Sequence, residues 1–216
     1  MWELLVQAAP LLPQAVGVTL FLGIGAFVLG SVLGIFITLA RISTVPPLRW
    51  LAYAYVSVFR GTPLLIQLLL IYFGLPQMGI VIEPIPSALI ALTLFAASYL
   101  SENFRSGISA VDRGQWEAAS SIGMTYAQSM KRIVLPQALR VALPPVGSRF
   151  IALMKDTSLA STVTVVELTR LAEKIGSSSF KYLEMFFIVG VIYWAINQLL
   201  TFGQTYLERR MSRSIR

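Results

Sequence analysis

Cysteine and histidine are both absent from the chain. Their absence excludes disulfides, zinc fingers, Cys/His metal sites and any Ser/His/Asp or Cys/His nucleophile. Charge is also scarce, at 12% of residues, roughly half the share of an ordinary soluble domain. No glycine is followed by lysine. The G-x-x-x-x-G-K-[ST] loop that cradles nucleotide phosphates is therefore missing, and the chain cannot bind ATP in that way. The N-terminus has no basic run and no clear small-residue cleavage site, so no removable signal peptide is expected.

What is present is apolar. The 216 residues are 56% hydrophobic, with a mean hydropathy of +0.73. This composition describes an all-α, polytopic membrane bundle, with residues 1–216 as a single domain. A net charge of +7 suggests nucleic acid in a soluble protein. In a membrane chain, cationic loops facing anionic headgroups account for it, so membrane lipid and not nucleic acid is the expected contact.

Five spans are expected. An amphipathic lead, Met1 to Pro13, precedes Gln14 to Ala40. That first span carries Ala26, Gly30 and Gly34 at every fourth position, a stripe that lets another helix approach closely. A loop, Arg41 to Trp50, leads to a second span, Leu51 to Gly74, interrupted at Arg60-Gly61-Thr62-Pro63. Proline there cannot donate to the carbonyl one turn earlier, and glycine weakens the same turn. A proline-rich loop, Leu75 to Pro86, leads to the third span, Ser87 to Phe104. Pro144-Pro145 marks the start of a fourth, Val146 to Val163. Val165 to Lys181 is polar and helical at the outer surface, and Tyr182 to Leu207 is the fifth span.

Five spans put the termini on opposite sides. With the loop between the third and fourth spans inside, eleven of the 17 basic residues fall on inner segments. Three, Arg170, Lys174 and Lys181, fall outside, and Arg60, Arg149 and Lys155 lie within spans. The positive-inside rule then sets the N-terminus outside and the C-terminus in the cytoplasm.

The loop at about 112–136 organises the chain. Gln115 to Ile122 reads as a short helix with Trp116 and Ile122 for docking. Gly123 can take the left-handed backbone that ends it. Thr125 can cap a second short helix, Tyr126 to Val134, and Pro136 restarts the chain as the first turn of another. Its fixed positions are Glu117-Ala118-Ala119, three residues, Gly123, nine residues, then Ile133, Leu135 and Pro136. This spacing resembles the EAA loop of ABC importer permeases at every fixed position. Arg60 to Leu68 resembles the R-G-T-P-L-L-I-Q-L stretch of the polar amino acid permeases. Lys155-Asp156-Thr157-Ser158-Leu159 resembles a K-D-T-S-L segment of the same group.

The resemblance implies a cytoplasmic coupling loop in which Glu117, Ala118, Ala119 and Gly123 dock on a separate ATP-binding cassette subunit. It also implies a second permease chain, identical or a paralogue, and an external substrate-binding protein. ATP and Mg would be bound by the ATPase partner, with no cofactor or metal in this chain and no enzymatic reaction of its own. Transport would run by alternating access in a bacterial plasma membrane. A channel or scaffold with no ATPase partner is the alternative.

Charges at membrane depth mark the candidate substrate site, because each costs a few kcal/mol by insertion scales unless it is paired or faces water or substrate. Ser98, Glu102 and Arg105 lie on one face of the third span. Arg149 and Asp156 lie on the fourth, and Arg60 stands at the broken turn of the second. Arg105 and Arg149 are expected to snorkel toward the inner interface. Glu102, Asp156, Ser98, Thr157 and Arg60 are the expected substrate contacts. Two buried carboxylates favour a cationic amino acid such as arginine, lysine or histidine. Internal pairing with arginine would instead leave a site that suits glutamine as well.

Overall fold

A computed structural model describes residues 2–212, and among these there is no β-strand. The lead is helix α1 (Trp2–Ala8), and α2 (Leu12–Ile42) follows with Pro13 in its first turn. Proline is tolerated there because the first amides of a helix have no intrahelical partner. The same device starts α3 (Pro46–Gly61) and α5 (Pro84–Ser109). Only 43–45 separate α2 from α3, so the expected loop over Arg41 to Trp50 is mostly helix. Arg41 lies in the last turn of α2, and the proline pair opens α3.

The interruption expected after Arg60 is present. Thr62 and Pro63 are extended, with φ/ψ of −116/145° and −62/136°. The residue before a proline is pushed out of the helical region in this way. The chain resumes as α4 (Leu64–Leu69), continues as a π turn (Leu70–Gly74) and ends in a 3₁₀ turn (Leu75–Met78). The axis bends by 104° across the break.

Helix α6 (Arg113–Ser121), α7 (Tyr126–Ser129), a π turn (Met130–Val134) and α8 (Leu135–Asp156) come next. Pro144 and Pro145 lie inside α8 and do not begin it. Pro136 already opens that helix. The two later prolines leave the carbonyls of Arg140 and Val141 without amide partners, and both residues are exposed, where other groups can serve them. A 3₁₀ segment (Thr157–Val163) leads to α9 (Leu168–Ser179) and α10 (Tyr182–Ser212).

Three helices, α2, α5 and α10, are long and apolar enough to cross a membrane, and the bent pair around Pro63 makes four. Helix α8, expected to carry most of the fourth span, is not among them. It carries Arg140, Arg149, Lys155 and Asp156 within 22 residues.

The main core joins α2, α4, α5, α8 and the 3₁₀ segment through Leu22, Leu68, Leu92, Leu100 and Leu153. The most extensive helix pairing is α2 on α5. The small-residue stripe makes it possible: a β-carbon on Gly30 would sit 2.9 Å from Ala96 Cβ, and one on Gly34 3.2 Å from Leu100 Cβ. A second core packs α1 (Leu4, Ala8) against α9 (Leu168, Leu171, Ile175) and α10 (Met185, Ile188). The lead helix therefore braces α9.

Candidate functional site

The charges singled out at membrane depth form a connected cluster around α5. Glu102 is its centre. Arg41 Nη1 donates to Glu102 Oε2 at 2.5 Å, and Arg105 Nη2 donates to Oε1 at 2.5 Å. Arg60 Nη1 stands 3.9 Å from Oε2, and its side chain is 40% exposed. Arg149 Nη2 donates to Asp156 Oδ2 at 2.7 Å along α8. Tyr99 joins the two groups, with the Arg60 guanidinium 5.0 Å and the Arg149 guanidinium 4.6 Å from its ring centre. Arg149 also lies 4.8 Å from the Phe95 ring.

Two expectations change here. Arg105 and Arg149 do not snorkel to the interface. Each is held by a carboxylate, because a guanidinium fork gains more from a carboxylate within reach than from extension toward water. The carboxylates are correspondingly not free: both oxygens of Glu102 are taken by arginine, and Asp156 is tied to Arg149. Arg41 completes the pairing and was not singled out as a site residue, because it sits 61 positions from Glu102 in a turn that reads as loop.

The cluster sets four guanidinium groups against two carboxylates, a surplus of two positive charges. The Nε atoms of Arg41, Arg105 and Arg149 are buried and have no hydrogen-bond partner. Chemically, this arrangement suits an anionic group. Ser98 and Thr157 stand apart from it. Both are fully buried, and their hydroxyls donate along their own helices, Ser98 to the Phe95 carbonyl at 2.7 Å and Thr157 to the Met154 carbonyl at 2.8 Å.

A third carboxylate, fully buried, was not legible at all. Glu167 caps α9 by accepting from the amides of Arg170 and Thr169, at 2.8 and 2.9 Å, and it accepts from the Tyr193 hydroxyl at 2.7 Å. Burial holds its carboxyl above the usual carboxylate range, and these donors only partly offset that. The group ties α9 to α10, and Thr19 Oγ1 accepts from the next amide, Leu168, which ties α9 to α2. A glutamate directly before a helix that begins with leucine resembles any surface residue in sequence.

The loop between α5 and α8 has the expected form. Gly123 has φ of +77°, with its amide donating to Ser120 and that of Met124 to Ala119. Thr125 and Gln128 make a reciprocal capping box: Thr125 N donates to Gln128 Oε1 at 2.9 Å, and Gln128 N donates to Thr125 Oγ1 at 3.3 Å. Trp116 stacks on Tyr126 across the turn, with ring centres 5.3 Å apart. Glu117 and Ala118 are exposed, Ala119 is buried, and Ile122 is 76% exposed. Two short helices are thus braced from within and present an apolar tip outward.

A helical membrane bundle with a broken span, an arginine–carboxylate cluster inside it and a rigid exposed loop of EAA spacing defines the membrane subunit of an ABC transporter. The chain belongs to the family of binding-protein-dependent transport system inner membrane components, whose pattern matches residues 27–213. It is 43% identical to the L-cystine transport system permease protein TcyB of Bacillus subtilis (strain 168), over 99% of this chain and 92% of that protein. It is 38% identical to the arginine transport system permease protein ArtQ of the same organism, over 94% and 93%. Among solved structures, that of an amino acid ABC transporter with histidines matches with a TM-score of 0.91 and 38% identity, covering 95% of this chain and 96% of that one. The chain is accordingly a permease subunit of an amino acid ABC importer.

Proposed function

We propose that the chain carries a polar amino acid across a bacterial plasma membrane by alternating access, with its N-terminus outside and its C-terminus in the cytoplasm. In this reading it works beside a second permease chain, an external substrate-binding protein and ATP-binding cassette subunits that supply ATP hydrolysis. The exposed turn at Gly123 carries the reading: a braced, outward-facing helix pair with an apolar tip is a docking surface for another subunit. Co-purification with a co-expressed ATPase subunit tests it directly. Gly123→Val should leave the bundle folded, since a β-carbon there meets no atom within 4 Å. It should strain the turn by about 1–2 kcal/mol, because a β-branched residue resists positive φ. Substrate-stimulated ATP hydrolysis should fall about tenfold or more, whereas Gly123→Asn, which tolerates that backbone, should keep most of it. Wild-type stimulation in the valine variant would count against docking through this turn.

The substrate reading follows from the surplus of arginine. Two free carboxylates would favour a cationic side chain, but arginines pair with both Glu102 and Asp156. The guanidinium cluster instead suits the α-carboxylate that every amino acid carries, with Arg60 as the exposed member that meets it. Arg60→Gln should raise KM for arginine and glutamine uptake together, by about tenfold, the loss of one charge-assisted contact. A rise for one substrate alone would refute recognition of the shared carboxylate.

A further inference from the structure

The geometry points to Gln67 as the positioning residue that sets the angle of the broken span. The last carbonyls of α3 have no intrahelical partner, because Pro63 brings no N–H and the chain turns away. Thr62 Oγ1 donates to one of them, Val58 O, at 2.8 Å. Gln67 reaches back from α4 to another of them and to Thr62 beyond the helix end. Its Nε2 donates to Phe59 O at 2.9 Å, and lies 3.2 Å from Thr62 O and 2.9 Å from Thr62 Oγ1. Among the described residues, these are the side-chain hydrogen bonds that cross from α4 to the end of α3.

The cost of this arrangement is what makes it informative. Gln67 is only 7% exposed, and its Oε1 is buried with no partner. A buried amide oxygen left unmatched is unfavourable, and a methionine of similar volume would avoid that loss. Packing alone therefore does not call for glutamine here. Its N–H group does, by holding the two helix ends at one angle. The Phe59 carbonyl that it grips is one residue from Arg60. The latch thereby fixes where the Arg60 guanidinium stands relative to Glu102 and Tyr99. The effect on substrate rests on the carboxylate role proposed for Arg60, whereas the latch itself does not.

The chain has no cysteine, so two introduced ones can carry spin labels cleanly. Val58→Cys and Leu70→Cys flank the break, and both native residues are well exposed. Pulsed EPR distances would be read in the complete reconstituted importer, with and without Gln67→Met. The expected result is a distance distribution at least about twofold broader, together with a KM for amino acid uptake raised about fivefold and kcat within about twofold of wild type. Loss of folded protein alone would lower kcat and leave KM unchanged. Gln67→Asn keeps the amide but is one methylene too short to reach, so it should behave as methionine does; it stands in if the methionine variant does not assemble. A broadened distribution with unchanged KM would uphold the latch and overturn its link to Arg60. An unchanged distribution in both variants would overturn the latch itself.

Discussion

Replacing Glu102 with alanine is expected to destabilise the bundle by about 3–5 kcal/mol, the usual cost of removing one partner from a buried ion pair. The reason lies in what remains. Arg41, whose side chain is 6% exposed, would lose its carboxylate in the last turn of α2, where that helix faces α5. Arg105 and Arg60 would add their charges to the same space. A thermal unfolding midpoint of the purified permease that drops by several degrees or more, with poor recovery from the membrane, is the expected observation. The double variant Arg41→Met with Glu102→Met should be markedly less damaged than Glu102→Ala, because it removes the orphaned charge along with its partner. Equal damage in both would show that pairing with Arg41 is not what holds Glu102 in place. Glu102→Gln keeps the shape and an acceptor oxygen. It should lower arginine and glutamine uptake alike, and a selective loss of arginine uptake would restore a cationic preference at this carboxylate.

Gly30→Leu is expected to cost about 3 kcal/mol by overpacking. Its β-carbon alone would stand 2.9 Å from Ala96 Cβ and 3.3 Å from both Ala97 N and Thr93 O. Two of those atoms are backbone, so relief requires moving α5 as a whole. That movement would also separate Thr38 Oγ1 from the Ser101 carbonyl, which it meets at 3.0 Å. Gly17→Leu in the same helix is the control. A β-carbon there meets nothing within 4 Å, and exchanging glycine for a better helix former should be neutral or gain up to about 1 kcal/mol. Unfolding midpoints of the two variants that fall together would refute close α2–α5 approach as the cause.

Much of the fold was legible because its signals are local. A threonine that caps a helix and a glycine that closes one act within one or two turns of chain. Thr125 and Gly123 accordingly sit where the sequence places them, whereas Pro13, read as the end of the lead, lies in the first turn of α2. Hydropathy similarly marks α2, α5 and α10, since burial in lipid demands a continuous apolar run. Local reading failed where one cue had two meanings. Pro144-Pro145 reads as a helix start, yet Pro136 had already begun that helix, and the exposed carbonyls let it run on through both prolines.

The residues of the site were visible as charges in apolar surroundings, but their roles were not. Sequence alone determined that Glu102, Asp156 and Arg60 need partners, because an isolated charge at membrane depth is too costly to keep. Tertiary structure decided which partners they have. Arg41 meets Glu102 only because the glycine stripe brings α2 against α5 at one rotation and one height. Gln67 grips α3 only because the chain doubles back through 104°. Contacts of this kind depend on the distance and rotation between helices, which are set jointly by all the packed faces and appear in no single stretch of the chain.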